Sequence, residues 1–184
     1  MSSRLLTACL LLCTSAALPA PAQGQTAQPQ DTFTNPLLPS GPDPWVIAYR
    51  GTYYYMNTTG RNLTIWATPD ITDLRHARRR VVWTPPPDGP YSKEIWAPEL
   101  HRFDDRWYLY FTADAGSNES HRIWVLENPS EDPLEGTWTM KGQIKDRGDH
   151  WAIDPSAFEL NGSKYLIWSG WKGTTDGEQD IYIA

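Results

Sequence analysis

Two aspartates stand at matching places in this sequence, Asp43 in the stretch GPDPW and Asp154 in AIDPS, 111 residues apart. Each precedes a proline and leads a short apolar segment. A lone Asp before Pro is most often a turn-former. Two at homologous places are less easily dismissed, because carboxylates brought to one cavity can take up and hand over protons, the work of general acids and bases. The corresponding place in an intervening segment is Ala97-Pro98, which has no ionisable group. His76, His101, His121 and His150 show no ligand spacing, so no metal site is predicted. Cys9 and Cys13 both fall near the start of the chain, which leaves no thiol, disulfide or cysteine metal site in the rest.

The elements that must position the two aspartates emerge when the sequence is laid against itself. Three segments begin alike, at Gly41, Trp96 and Ala152. Each has a Pro, a short apolar strand, a two-residue turn and a second strand rich in Tyr, Trp and Phe. The turns are Arg50-Gly51, Asp104-Asp105 and Asn161-Gly162, of which Asn-Gly is the strongest hairpin signal. Third strands follow at Leu63, His121 and Asp180, and fourth strands at ARRRVVW before Trp83 and at TWTMKGQI from Thr137. Pro44, Pro98 and Pro155 are 54 and 57 residues apart, and Trp66, Trp124 and Tyr182 are 58 and 58 apart.

Four short antiparallel strands repeating with that period describe the blade of a β-propeller, an all-β fold. Stacked blades need large flat side chains between them, which gives most of the 10 Trp and 9 Tyr a packing role. In a propeller the leading ends of the inner strands face one mouth of the central channel. Asp43 and Asp154, two blades apart, would then look across a common cavity. Arg78-Arg79-Arg80 reads as a solvated outer edge that discourages pairing. Two full repeats and three strands of a third fit between Gly41 and Ala184. Propellers have four to eight blades, so the expectation is about two and three-quarter blades from the N-terminal part of a longer protein.

Residues 1–22 differ in kind. They carry one early charge, Arg4, an apolar run from Leu5 to Leu18 and the small-residue pattern Ala20-Pro21-Ala22, which together read as a secretory signal peptide. A membrane helix would need about 20 apolar residues, and this run has 14. Residues 23–32 read as a flexible lead-in, and residues 33–184 as the propeller segment. The chain has 22 Asp and Glu against 16 Lys and Arg, a net charge of −6. That balance argues against a nucleic-acid partner, which selects for a basic face. The expected location is extracellular, or periplasmic in a Gram-negative host, with no membrane attachment after leader cleavage.

The motifs GPDPW, Lys93-Glu94-Ile95-Trp96-Ala97-Pro98-Glu99-Leu100, WAIDPSAFE and QDIYIA resemble the five-bladed propellers of glycoside hydrolase family 43. The resemblance covers residues 35–184. It implies an inverting enzyme that removes L-arabinofuranosyl or D-xylosyl units from plant cell-wall polysaccharides. Asp43 matches the family's general base and Asp154 the carboxylate that orients the general acid and adjusts its pKa. The family's acid, a Glu about 60 residues after the second Asp, matches no position here, and the chain alone is expected to be nearly inactive. Trp45, Trp96 and Trp171 are candidate platforms for a pentose ring, Trp96 foremost because it sits at the inner-strand mouth beside Glu99. Glu99 has the parity of Trp45 and Ser156 and is expected to face the cavity. No cofactor is required; family members often hold a calcium ion or water at the channel centre through residues beyond this chain.

The expected activity is that of an exo-acting α-L-arabinofuranosidase on arabinan or arabinoxylan. β-Xylosidase and endo-arabinanase are the near alternatives. The fructan-cleaving propellers fit less well, because their first motif reads Asn-Asp-Pro-Asn-Gly. A non-catalytic sugar-binding propeller would account for the aromatics and the leader but not for two Asp-Pro motifs in register.

Overall fold

The computed structural model describes residues 32–145, 147–175 and 177–184. The 1–22 leader and residues 23–31 of the lead-in lie outside the described residues. The rest is all-β, in three antiparallel sheets that are successive propeller blades. Blade 1 runs in the order β1 (Trp45–Tyr49), β2 (Thr52–Met56), β3 (Leu63–Thr68), β4 (Arg78–Trp83). Blade 2 is β5 (Lys93–Phe103), β6 (Arg106–Asp114), β7 (Arg122–Asn128), β8 (Thr139–Ile144). Blade 3 is β9 (Ala152–Leu160), β10 (Ser163–Trp171), β11 (Gln179–Ile183). Every strand follows from the sequence pattern. Among the described residues no helix is long and apolar enough to cross a membrane.

The hairpin turns have the geometry their sequences demand. Both central residues of each lie at positive φ: Arg50 47° and Gly51 76°, Asp104 48° and Asp105 60°, Asn161 52° and Gly162 77°. That is the mirror-image turn whose twist matches the flanking strands. It fixes the registers Tyr49 to Thr52, Phe103 to Arg106 and Leu160 to Ser163. Register in turn decides which side chains enter the core, since a one-residue slip would reverse every face.

Blades 1 and 2 close over a shared core in which Met56, Leu63, Ile65, Leu100, Trp107 and Phe111 are fully buried. Tyr49 and Tyr54 meet the Trp107 ring edge-on at 5.3 and 5.4 Å. The Trp107 indole N–H donates to the Glu131 carbonyl at 3.0 Å, so burying that polar atom leaves no unmet donor. Ile123, Ala152, Ala157 and Leu166 form a smaller core between blades 2 and 3.

The Arg78–Arg80 run lies exposed on β4, the outer strand of blade 1, as its reading as a solvated edge expects, and its side chains also find partners. Arg78 ion-pairs with Asp132 and, at 3.5 Å, with Glu135, while Arg80 reaches Glu135 at 3.2 Å. Asp132 and Glu135 belong to the β7–β8 loop, so two of the three arginines tie blade 1 to blade 2. The side chain of Arg79 instead lies over Trp66 in its own blade, 6.0 Å from the ring.

Candidate active site

Asp43, Ala97 and Asp154 occupy one position in three blades, and all three backbones are in the left-handed region, with φ of 50°, 42° and 53°. The residue before a proline ordinarily takes an extended backbone, and a non-glycine residue at positive φ is uncommon. The cause is a bulge repeated in each inner strand. In blade 2, Trp96 pairs with Thr112 and Glu99 with Tyr110, so three steps on β5 meet two on β6. In blade 3, Ser156 pairs with Ile167 and Ile153 with Ser169, again three against two. In blade 1 the bulge lies just before β1: Trp45 pairs with Met56, and the Thr58 N–H donates to the Pro42 carbonyl at 2.9 Å. A proline, lacking an N–H, is tolerated at such a break in the ladder. A bulge re-aims the side chain it carries. Because Ala97 has the same backbone without a functional group, the distortion belongs to the blade, and the aspartates exploit it.

The aimed carboxylates share a cavity of about 220 Å³ lined by Asp43, Pro44, Trp45, Ala97, Pro98, Glu99 and Asp154. The sequence expectation that Asp43 and Asp154 face one space therefore matches the geometry, and Glu99 joins them there. Burial, then the neighbouring Asp43 and Glu99 carboxylates, push the Asp154 carboxyl above the usual range. Both effects penalise the charged form. One Asp43 oxygen, Oδ2, accepts the Thr58 hydroxyl at 2.5 Å. Its other oxygen has no hydrogen-bond partner among the described residues.

Glu99 is not free to act alone. His101 Nε2–H donates to its Oε2 at 2.9 Å, and both side chains are largely buried, 19% and 8% exposed. His101 is held in turn by Phe103, stacked at 5.7 Å, and by Trp45 at 4.8 Å. Trp45 is anchored by its indole N–H on the Leu100 carbonyl at 2.9 Å. It thus forms the cavity wall in one fixed orientation, as a platform must.

Trp96 lies elsewhere. It lines a second hollow of about 460 Å³ with Lys93, Glu94, Asp114, Gly116, Ser117, Asn118 and His121. Its indole N–H donates to Glu94 Oε2 at 3.0 Å, and one ring face stacks on His121 at 4.1 Å. His121 is 1% exposed; Nδ1–H donates to the Asn118 carbonyl at 2.9 Å, and Nε2 has no hydrogen-bond partner. No sequence signal singled out Glu94, two residues from Trp96 on β5, or His121, which meets Trp96 from a distant part of blade 2.

Trp171 is corrected. It is 2% exposed and stacks on Trp151 at 4.5 Å, so its ring packs against protein and presents no platform. The WSGW spacing that suggested an accessible ring places it on the buried side of β10. Among the described residues no group of three or more His, Cys, Asp or Glu side chains could hold a metal ion.

Comparison with known proteins agrees with this geometry. The pattern of "Glycosyl hydrolases family 43" matches residues 33–184. An extracellular exo-α-(1→5)-L-arabinofuranosidase of Streptomyces avermitilis is 32% identical over all of this chain and 39% of its own length. The enzyme of the same name from Streptomyces chartreusis is 31% identical over 83% of this chain and 48% of its own. The crystal structure of an α-L-arabinofuranosidase from Lactobacillus brevis superposes with a TM-score of 0.76 at 31% identity, covering 83% of this chain and 51% of that one. The chain thus spans less than half the length of the two Streptomyces relatives. With its bulged Asp-Pro strands aimed into one cavity and its match from Phe33 to Ala184, the chain belongs to glycosyl hydrolase family 43.

Proposed function

We propose that this chain carries the base-bearing part of the active site of a secreted exo-acting α-L-arabinofuranosidase. The enzyme would remove terminal arabinofuranosyl units from arabinan or arabinoxylan with inversion. The observation that carries the reading is Asp43: one oxygen is held by Thr58, and the residue lines a cavity shared with Asp154. A carboxylate so placed takes a proton from water as that water attacks the anomeric carbon on the face opposite the leaving group. Asp154 supplies a second negative charge. A glutamic acid brought beside it would be kept protonated by like-charge repulsion and could protonate the departing oxygen.

Trp45 forms the wall against which the cleaved pentose lies. The hollow at Trp96 receives the sugar on the leaving-group side, with the Trp96 indole as its aromatic wall. The names of the relatives support arabinofuranose over xylose.

The chemistry also fixes a test. Among the described residues Glu99 is the only Glu lining the cavity, and its carboxylate is committed to His101. Without an acid in the cavity, the 184-residue chain should favour leaving groups that depart unprotonated. We expect 2,4-dinitrophenyl arabinofuranoside to be hydrolysed about 10²–10⁴-fold faster than an unactivated aryl arabinofuranoside, relative to enzymes with a complete acid–base pair. The reaction should vanish in Asp43→Asn. A preference for aryl xyloside would move the substrate to xylan, and preferential internal cleavage of linear arabinan would make the enzyme endo-acting. Dinitrophenyl turnover undiminished by Asp43→Asn would remove Asp43 from the mechanism.

A further inference from the structure

Thr58, Thr112 and Ser169 fall at one position of the repeat, in or just past the second strand, each seven residues beyond the second turn residue, Gly51, Asp105 or Gly162. In two blades that hydroxyl reaches the next blade. Thr58 Oγ1 accepts the Ala97 N–H at 2.6 Å, and Thr112 Oγ1 accepts the Asp154 N–H at 3.2 Å. These N–H groups sit at the bulges, where the strand's own ladder is interrupted and a donor needs another partner. A hydroxyl from the preceding blade meets the need and holds a backbone that would otherwise relax from its left-handed conformation.

Thr58 does more, because it also contacts the carboxylate of its own blade. A threonine hydroxyl has one proton and two lone pairs. The Ala97 N–H occupies a lone pair, so the proton is directed to Asp43 Oδ2, 2.5 Å away. The hydroxyl thereby ties the Asp43 carboxylate of blade 1 to the backbone of blade 2 through two hydrogen bonds. The other carboxylates lining the cavity are Asp154 of β9 and Glu99 of β5, and Glu99 is engaged by His101. Among the described residues Thr58 is the side chain that hydrogen-bonds Asp43.

From these contacts we propose that Thr58 is a positioning residue for the base, fixing the orientation of Asp43, and that Thr112 fixes the backbone of Asp154. The inference rests on the reading of Asp43 as the base, but its contact can be tested separately. Thr58→Val preserves shape and removes the hydroxyl, so a misdirected base should lower kcat about tenfold with KM little changed. Thr58→Ser, which keeps the hydroxyl, should restore kcat. Thr112→Val should lower turnover through Asp154 instead.

The measurement is steady-state kinetics of the protein from its complete reading frame, for Thr58→Val and Thr58→Ser, alone and combined with Asp43→Asn. We expect Thr58→Val to lower kcat about tenfold with KM little changed, Thr58→Ser to recover it, and Thr58→Val to cost nothing further once Asp43 is Asn. An unchanged kcat in folded Thr58→Val, or an equal loss in the Asp43→Asn background, would overturn the proposal. If Thr58→Val fails to fold, the same comparison with Thr58→Ala decides it. Normal turnover in Asp43→Asn alone would instead overturn the base assignment.

Discussion

Trp107 is the side chain on which the union of blades 1 and 2 most depends, and its removal is predicted to be costly. The ring is fully buried, meets Tyr49 and Tyr54 edge-on, and lies under the Arg102 guanidinium at 5.2 Å. Truncating a buried aromatic to alanine costs about 3–5 kcal/mol through lost transfer energy and the cavity left behind. The Glu131 carbonyl also loses its donor, which adds about 1 kcal/mol. Trp107→Ala should therefore lose about 4–6 kcal/mol, much of the stability of an ordinary domain. Trp107→Phe keeps most of the contact and should lose about 1–2 kcal/mol. The assay is urea unfolding followed by tryptophan fluorescence and by far-ultraviolet circular dichroism. If Trp107→Ala lost less than about 1 kcal/mol, the inter-blade core would not be what holds the two blades together.

Two further outcomes are expected. The Asp154 carboxyl is raised by burial and then by Asp43 and Glu99, so its proton is bound more tightly in the folded than in the unfolded state. Stability from this group is fully present below the unfolded carboxylate pKa and is lost as pH rises through the raised folded value. Asp154→Asn should accordingly raise Tm at neutral pH and flatten its dependence across the weakly acidic range, while turnover falls; a lower Tm at neutral pH would contradict the electrostatic account. Trp96→Ala should raise KM for arabino-oligosaccharides about tenfold, or roughly 1.4 kcal/mol, and leave KM for a dinitrophenyl glycoside nearly unchanged. Equal effects on both would place Trp96 outside the leaving-group side.

The fold was largely legible because its signals are local. Asn161-Gly162, Arg50-Gly51 and Asp104-Asp105 announce hairpins, and the aromatic strands beside them repeat at a regular period. Asp43 and Asp154 were legible for the same reason, as one position in two repeats. The left-handed backbone at these residues was not legible, since a residue before proline is ordinarily extended and the bulge appears only in the pairing of β5 with β6 and β9 with β10. Nor were Thr58, His101 and His121, whose contacts with Ala97, Trp45 and Trp96 join residues distant in sequence. Trp171 failed as a platform because a strand pattern rich in aromatics does not tell a ring packed between layers from one facing a ligand. Arg78 and Arg80 found acids 54 or more residues away, which no local pattern reveals.

The central claim is that Asp43 activates the water that attacks the anomeric carbon from the far face. Asp43→Gly tests it with little strain, since glycine accepts φ near 50°, and it opens room for a small anion. The decisive measurement is proton NMR of the product formed from 2,4-dinitrophenyl α-L-arabinofuranoside by the Asp43→Gly protein from the complete reading frame, with azide present. Azide would attack the anomeric carbon as dinitrophenolate leaves. The account predicts restored turnover and β-L-arabinofuranosyl azide; an α-azide, or no rescue beside undiminished hydrolysis, would contradict it.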